Sequence, residues 1–216
     1  IPGYIYKPKH NPGNAPRLGL GYSIFGTAAL LAKAGFFTIE TKEIKDIITN
    51  LELWDHELGP KKITKNNAAK KIAEKLHNKL AVLVGAEFLG GNLRAFRNQI
   101  CENGKNFAAY LTLPELNHYA MEGLAYPTSN KKNLIFFFID SEFYHPRVQA
   151  RSELTKKVVA KNKISLVSYK LKGHSKLEQA FELLQLGSWI SFYLAVLNNV
   201  SPAGNPWVDW FKKELK

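Results

Sequence analysis

Two residues of the types used in acid–base catalysis lie sixteen positions apart near the middle of this 216-residue chain. Glu102 belongs to the segment Gln99–Lys105, and His118 ends the segment Leu113–His118. Carboxylate and imidazole side chains are common general acids and bases, so the pair could move protons on a substrate. Spacing alone leaves a second interpretation open. A lone glutamate before an Asn-Gly pair is typical of a solvated helix end, and a lone histidine in a loop is usually not catalytic.

Other chemistries find less support in the sequence. None of the six histidines lies at metal-ligand spacing with another histidine, a cysteine or a carboxylate cluster, so a metal ion is not expected. A nucleophilic pair of Cys101 and His118 lacks an evident orienting group, and Cys101 is better explained as a small buried residue. The run Gly85–Asn92 has neither G-x-G-x-x-G nor a P-loop lysine, which favours an ordinary strand-to-helix turn.

The net charge of +12 and the pI near 9.6 admit a nucleic acid, an anionic membrane or an anionic metabolite as partner. The charge comes mostly from lysines spread along the chain, whereas nucleic-acid readers more often carry clustered arginines with exposed aromatic residues. We therefore expect a solvated lysine-rich surface, a phosphorylated substrate, and neither nucleic acid nor membrane as partner. A nucleic-acid-binding protein remains an alternative that rests on charge alone.

The cellular setting expected from the sequence is cytoplasmic. Cys101, the single cysteine, has no partner for an intramolecular disulfide, and the N-terminus shows no signal pattern. The most apolar stretch, Leu183–Val200, predicts no membrane span because four polar residues interrupt it: Gln185, Ser188, Ser191 and Asn198. The chain has no initiator methionine at its start, so it could be part of a longer product.

The elements that must position Glu102 and His118 are strands joined by helical crossovers. Short apolar runs separated by twenty or more residues predict four strands: Leu80–Val84, Asn106–Leu111, Leu134–Ile139 and Ile164–Tyr169. Such spacing is typical of parallel strands with crossover connections, and the continuous apolar run at Leu134–Ile139 indicates a sheet covered on both faces. The predicted fold is α/β, a three-layer αβα sandwich with a mostly parallel sheet.

The predicted domain organisation is a linker or arm over residues 1–16, which are rich in proline and glycine, followed by one domain over residues 17–216. Further helices are expected from Pro16 to Gly35, Thr41 to about Leu53, Asn66 to about His77, Ser175 to about Asn198, and Pro206 to Leu215. A helix ending just before the second strand would place Glu102 beside the strand ends where open α/β folds bind ligands. Glu102 and His118 would then lie at the two ends of one strand-bearing unit.

Four segments, in the same order, resemble the C-terminal half of bifunctional phosphoglucose/phosphomannose isomerases, members of the sugar isomerase (SIS) domain superfamily. Ala15–Leu18 resembles the family's Pro-Arg helix entry, and Gln99–Lys105 resembles its Gln-x-Asn-Glu-Asn-x-Lys. Leu113–His118 resembles its Pro-Glu-Leu-Asn-His, and the tail from Leu186 to Lys212 resembles the closing helices. The resemblance covers nearly the whole chain and implies an SIS-like fold with C-terminal helices.

The resemblance implies an aldose–ketose isomerase that interconverts glucose 6-phosphate, or mannose 6-phosphate, with fructose 6-phosphate. Glu102 would shuttle a proton between C1 and C2 through an enediolate, while His118 and Lys212 would assist ring opening. The guanidinium of Arg17 would stabilise the enediolate charge. No cofactor is implied. Because the family's histidine comes from the neighbouring subunit, the resemblance also implies a homodimer.

The sequence departs from the family pattern at several positions. Tyr119 and Ala120 stand where Asn-Glu is usual, Cys101 replaces an asparagine, and Ser188 and Ser201 replace aspartates. The family's phosphate-binding loop belongs to an N-terminal SIS domain, so activity is expected to need that half as another chain or a removed segment. The alternative is a non-catalytic SIS module that binds a sugar phosphate or a partner protein.

Overall fold

The computed structural model describes residues 3–13 and 15–215, and the chain divides into two compact units. One unit joins Ile1–Thr49 to Asn205–Lys216, and the larger unit is Asn50–Gly204. Residues 1, 2 and 14 of the predicted arm and residue 216 of the predicted domain lie outside the described residues. A single domain over residues 17–216 stays a prediction.

A four-stranded, all-parallel sheet forms the centre of the larger unit. Its strands are β1 (Leu80–Ala86), β2 (Ala108–Leu113), β3 (Leu134–Asp140) and β4 (Ser165–Lys170). The order across the sheet is β2-β1-β3-β4. Nearly every side chain of β1 and β3 is buried, which explains why their sequences are continuously apolar rather than alternating. The predicted α/β sandwich with a parallel sheet is confirmed.

Nine α-helices occur in the described residues. They are α1 (Leu20–Lys33), α2 (Thr41–Leu58), α3 (Ala68–Leu76), α4 (Gly90–Glu102), α5 (Leu116–Tyr119), α6 (Asn130–Asn133), α7 (Pro146–Lys161), α8 (Lys176–Leu197) and α9 (Pro206–Glu214). The predicted serine cap of α8 is confirmed, since Ser175 Oγ accepts a hydrogen bond from the Glu178 amide at 3.1 Å. The α2 helix continues to Leu58, beyond its predicted end near Leu53.

The α8 helix is the core helix of the larger unit and packs against both α3 and α4. By length and composition it could cross a membrane, but 56% of its apolar window is buried within the structure. Its polar residues bind neighbouring elements, as Gln185 shows by donating to the Leu51 carbonyl at 2.9 Å. Core helices of packed proteins combine apolar length with polar side chains that bind neighbouring elements, although Gln185 Oε1 is buried here without a hydrogen-bond partner among the described residues.

The smaller unit contains the described part of the predicted arm, which has no helix or strand between residues 3 and 13. The Tyr6 ring stacks on Tyr22 of α1 with the ring centroids 5.2 Å apart. The Tyr4 ring packs so closely on α1 that a Cβ at Gly26 would lie 2.4 Å from Tyr4 Cε1. The arm is thus held on α1 by aromatic contacts.

Candidate active site

Glu102 is the last residue of α4 and is half-buried. The α4 helix begins at the carboxyl end of β1 and ends before β2, so Glu102 lies at the amino-terminal edge of the sheet. The expectation that Glu102 lies beside the ligand-binding carboxyl ends of the strands is therefore wrong. The physical reason is the crossover itself: a helix joining two parallel strands must return to the edge where the strands begin.

The end of α4 that carries Glu102 is fixed on α8 by close packing. A Cβ at Gly104 would lie 2.8 Å from the Ile100 carbonyl oxygen, 3.1 Å from Leu194 Cβ and 3.3 Å from the Ser191 carbonyl oxygen. The 2.8 Å contact is with a backbone atom, so a side chain at this position would force the backbone to shift, whereas glycine fits without a shift. The residue that seemed only to end a helix in the sequence also permits the close approach of α4 and α8.

Hydrogen bonds between α4 and α8 flank Glu102 on both sides along the chain. Gln99 Nε2 donates to Ser188 Oγ at 2.8 Å, and Asn103 Nδ2 donates to Ser191 Oγ at 3.4 Å. Further along, Asn198 Nδ2 donates to the Gly104 carbonyl at 2.9 Å. These side-chain contacts fix both the axial position and the rotation of the helix end. Ser188, a departure from the family pattern, thus has a structural partner.

Lys105 links the same helix end to Gly204, the last residue of the larger unit. Its Nζ donates to the Glu102 carbonyl and to the Gly204 carbonyl. A cation at the C-terminus of a helix also complements the helix dipole. Lys105 adopts a φ of 52°, a left-handed conformation that is uncommon for a side chain of this kind. Lys105 is therefore a further residue that positions the Glu102 backbone.

His118 is exposed and lies on α5, the short helix that follows the carboxyl end of β2. The peptide bond between Leu113 and Pro114 is cis. The turn is anchored by Leu116, which is 1% exposed, and by Asn117, whose Nδ2 donates to Thr155 Oγ1 of α7 at 2.8 Å. The histidine is thus presented to solvent by a turn whose neighbouring residues face the protein.

Glu102 and His118 lie at opposite edges of the sheet. The six residues of β2 separate them, a strand length of about 20 Å. A catalytic acid or base must come within about 3 Å of the atom whose proton it moves. Within one copy of the larger unit the two side chains therefore cannot serve the same reacting carbons.

Arg17 and Lys212 belong to the smaller unit. Arg17 is half-buried in a single turn of 3-10 helix, Pro16–Leu18, that precedes α1, and Lys212 is exposed on α9. The sequence placed Arg17 at the start of a longer helix, but α1 begins only at Leu20. The catalytic roles implied for both residues stay predictions.

The crevice where doubly wound sheets usually bind ligands lies between β1 and β3, since the strand order reverses there. Tyr144 is 3% exposed in this place, and its hydroxyl accepts from the Ala86 amide at 3.0 Å and donates to the Ile139 carbonyl at 3.2 Å. Burial raises the pKa of Tyr144, which keeps the hydroxyl protonated as a donor. Glu87 Oε1 accepts from the His145 amide at 2.9 Å and ties the two loops together.

An open cavity of about 320 Å³ lies beside this crevice, at the carboxyl end of β3. Three carboxylates and one amine are among its lining: Asp140, Glu142, Glu153 and Lys170. The nearby Lys156 pairs with Asp140 and Glu153 at 2.6 Å each, yet the carboxylates still outnumber the amines. This charge disfavours a phosphate group, so the cavity does not supply the phosphate-binding loop that the resemblance places in another domain.

The described part of the chain offers no cluster of metal-ligating side chains. Within residues 3–13 and 15–215, no three histidine, cysteine, aspartate or glutamate side chains form a group that could hold a metal ion. Cys101 is half-buried, and its Sγ lies 3.9 Å from the Ala108 carbonyl oxygen. This environment matches the packing interpretation of Cys101 that the sequence left open.

Comparison with known proteins places these residues in a family context. Residues 65–215 match the family described as the bacterial phospho-glucose isomerase C-terminal SIS domain. A bifunctional phosphoglucose/phosphomannose isomerase from Caldicellulosiruptor bescii is 30% identical over 213 residues, covering 94% of this chain and 60% of the relative. The Aquifex aeolicus protein of the same name is 26% identical over 204 residues, covering 94% and 59%. The chain thus spans about 60% of the length of these curated relatives.

Solved structures show the same fold. A glucose-6-phosphate isomerase like protein from Thermus thermophilus superposes with a TM-score of 0.69 at 19% identity, covering 88% of this chain and 61% of that one. Glucosamine-6-phosphate deaminase from Thermotoga maritima superposes with a TM-score of 0.53 at 13% identity, covering 88% and 51%. At these identities the likeness concerns architecture alone.

Proposed function

Because the chain belongs to the bacterial phospho-glucose isomerase C-terminal SIS domain family, we propose that it is the C-terminal half of a cytoplasmic sugar-phosphate isomerase. The substrates would be glucose 6-phosphate or mannose 6-phosphate, and the ketose would be fructose 6-phosphate. The names of the relatives support this substrate class. An N-terminal SIS half would supply the phosphate site, and the excess of carboxylates over amines in the cavity at the end of β3 supports a phosphate site outside this unit.

The observation that carries the proposal is the fixed position of Glu102 at the end of α4. A general base must be held in place while its carboxylate stays accessible, and Glu102 is half-buried on a helix end packed against α8. Its carboxylate would remove the proton from C2 of the open-chain aldose, leaving the electron pair in an enediolate between C1 and C2. Return of the proton to C1 then gives the ketose. In the same step O2 loses its hydroxyl proton and becomes the carbonyl oxygen, while O1 gains a proton and becomes a hydroxyl.

His118 would act in a site completed by a second copy of the chain. The separation of Glu102 and His118 along β2 supports this arrangement, because one copy cannot bring both to the same sugar. In a two-fold dimer each site would combine Glu102 of one copy with His118 of the other. His118 and Lys212 would exchange protons with the ring oxygen and its hydroxyl during ring opening, and Arg17 would stabilise the enediolate.

A non-catalytic SIS module that binds a sugar phosphate or a partner protein is the alternative function. The observation that favours it is Tyr144, which fills the crevice where this type of sheet would otherwise bind a ligand. Tyr119 and Ala120, which depart from the family pattern next to His118, point the same way. The two functions differ in turnover, which can be measured directly.

The test is an isomerase assay on the longest native gene product with fructose 6-phosphate, comparing Glu102→Gln with Glu74→Gln. Glu102→Gln removes the base while keeping the shape of the side chain, and we expect kcat to fall by at least about 100-fold. Glu74 is exposed on α3 and serves as the matched control, for which kcat should not change. Absence of turnover in the unmodified product, or equal turnover in both variants, would refute catalysis and favour the module.

The shared site can be tested with the same assay. Glu102→Gln and His118→Gln proteins, each inactive alone, should regain activity when their subunits are exchanged. Random pairing makes half of the dimers mixed, and one of their two sites keeps both residues, so about a quarter of wild-type activity is expected. Complementation should be absent if each chain builds a complete site of its own.

A further inference from the structure

We propose that Asn117 is a positioning residue for His118 and acts through Arg151 and Thr155 of α7. The inference rests on the proposed function, in which His118 exchanges protons with the substrate. His118 is exposed on a very short helix, so another residue must fix its orientation. Asn117, the residue before it, has a side chain that bonds to the protein rather than to solvent.

Three hydrogen bonds form a closed ring around the Asn117 amide. Asn117 Nδ2 donates to Thr155 Oγ1 at 2.8 Å, and Thr155 Oγ1 donates to the Arg151 carbonyl at 2.7 Å. Arg151 Nη1 completes the ring by donating to Asn117 Oδ1 at 3.4 Å. The hydroxyl proton of Thr155 is used by the Arg151 carbonyl, so Thr155 can only accept from Asn117. The donors and acceptors therefore fix which way the amide of Asn117 faces.

The ring is attached to a rigid part of the larger unit. Thr155 is 1% exposed, and α7 packs against β2, β3 and β4. Breaking a hydrogen bond at a buried hydroxyl leaves an unsatisfied polar group, which costs about 1–3 kcal/mol. Releasing the anchor on α7 to solvent therefore carries this cost, whereas the exposed His118 ring has solvent on its outer side.

The α5 helix cannot hold His118 by itself. It has four residues, and helices of this length are not stable without tertiary contacts. Two consecutive residues attach it to the protein: Leu116 packs in the core, and Asn117 joins the ring. Leu116 provides apolar contact without direction, while the directional bonds of Asn117 define the rotation of the turn. A shift of about 1 Å in a catalytic group can lower the rate 100-fold, so this rotation matters for the reaction.

The test uses the full native gene product and the fructose 6-phosphate assay. We expect Asn117→Ala to lower kcat by about 10- to 100-fold while KM changes little, because the histidine remains present but is misplaced. Thr155→Val should have a similar effect, and Thr155→Ser, which keeps the hydroxyl, should restore kcat close to wild type. The double variant Asn117→Ala/Thr155→Val should lose little more than either single variant, since one interaction is removed in each case.

The matched control is Asn162→Ala, which removes an amide hydrogen bond of 3.0 Å to the Val158 carbonyl near the end of α7. It should lose comparable stability with unchanged kcat. Equal kcat in Asn117→Ala and Asn162→Ala would overturn the positioning role. If Glu102→Gln abolishes turnover in the same experiment, the isomerase would stand while this inference fails.

Amide hydrogen exchange tests whether the ring holds the turn at Asn117, even if the native product shows no turnover. In the free protein, Asn117→Ala and Thr155→Val should speed exchange at the amides of residues 116–120, and Asn162→Ala should not. Unchanged exchange in this segment would overturn the role of the ring. Faster exchange together with absent turnover would support the ring and refute the isomerase.

Discussion

Gly104→Ala is the sharpest test of how the Glu102 helix end is held. Gly104 lies two residues after Glu102, and its φ is not in the left-handed region that glycine alone favours. Alanine could therefore adopt the same backbone conformation, and only the space around the new methyl group is at issue. The three nearest atoms lie 2.8, 3.1 and 3.3 Å from the Cβ position, and two of them are carbonyl oxygens of the backbone.

The expected magnitude follows from two opposing effects. Replacing glycine by alanine restricts the unfolded chain, which stabilises a protein by about 0.4–1 kcal/mol where alanine fits. Forcing a methyl group into a packed interface costs about 1–3 kcal/mol, because backbone atoms cannot rotate away as a flexible side chain can. Gly91→Ala on the same α4 helix is the matched control, since nothing lies within 4 Å of its Cβ position.

The assay is urea unfolding of wild type, Gly91→Ala and Gly104→Ala. The unfolded-state effect is common to both variants, so the difference between them reports the steric cost, about 1–3 kcal/mol. Gly91→Ala should be more stable than wild type and Gly104→Ala less stable. If Gly104→Ala is as stable as Gly91→Ala, α4 and α8 are not in close contact at this point, and the account of how Glu102 is held is wrong.

Two further predictions concern buried polar groups. Glu182, fully buried, accepts hydrogen bonds from the Tyr169 hydroxyl and from the amides of Lys172 and Gly173, so Glu182→Ala should cost about 3 kcal/mol in urea unfolding, against about 1 kcal/mol or less for the exposed Glu153→Ala. Burial, followed by the charge of Glu182, raises the pKa of Tyr169 in the folded protein. The stability that Tyr169 contributes is therefore fully present below about pH 10. It is lost as the pH rises further, because the tyrosine then ionises in the unfolded chain but not in the folded one. Tyr169→Phe should therefore reduce the loss of unfolding free energy above pH 10 by about 1.4 kcal/mol per pH unit, and equal slopes would contradict this.

The central strands β1 and β3 could be predicted from sequence because burial on both faces requires a continuous apolar run in each of them. The end of α2 could not be predicted in the same way. Asn67 Nδ2 donates to the Leu58 and Gly59 carbonyls at 2.8 and 3.1 Å, so a residue outside the helix satisfies its last acceptors. Local propensity near Leu53 gives no information about a partner supplied by tertiary structure.

The residues of the candidate site stay predictions, and one part of its geometry, the sheet edge at which Glu102 lies, was predicted wrongly. The motifs around Glu102 and His118 identify side chains, yet the sheet edge of Glu102 follows from the direction of α4 between two parallel strands. Applying the crossover rule to the predicted elements would have given the correct edge. Thr155, by contrast, lies 38 residues from Asn117, and no pattern in the sequence joins the two.

Tyr144, which favours the non-catalytic module, is compatible with the proposed reaction only if the substrate binds away from the crevice that Tyr144 fills. A doubly wound sheet normally binds its ligand in the crevice at the carboxyl ends of the strands, and Tyr144 fills that crevice here. The larger unit then offers its two edges instead, with Glu102 at one and His118 at the other. If Glu102 and His118 are both catalytic, as proposed, the strand length of about 20 Å between the two edges means that another protein surface must meet each edge. The separation of the pair therefore supports the proposed assembly with a second copy, and the excess of carboxylates in the cavity at the end of β3 supports the proposal that the phosphate binds outside this unit.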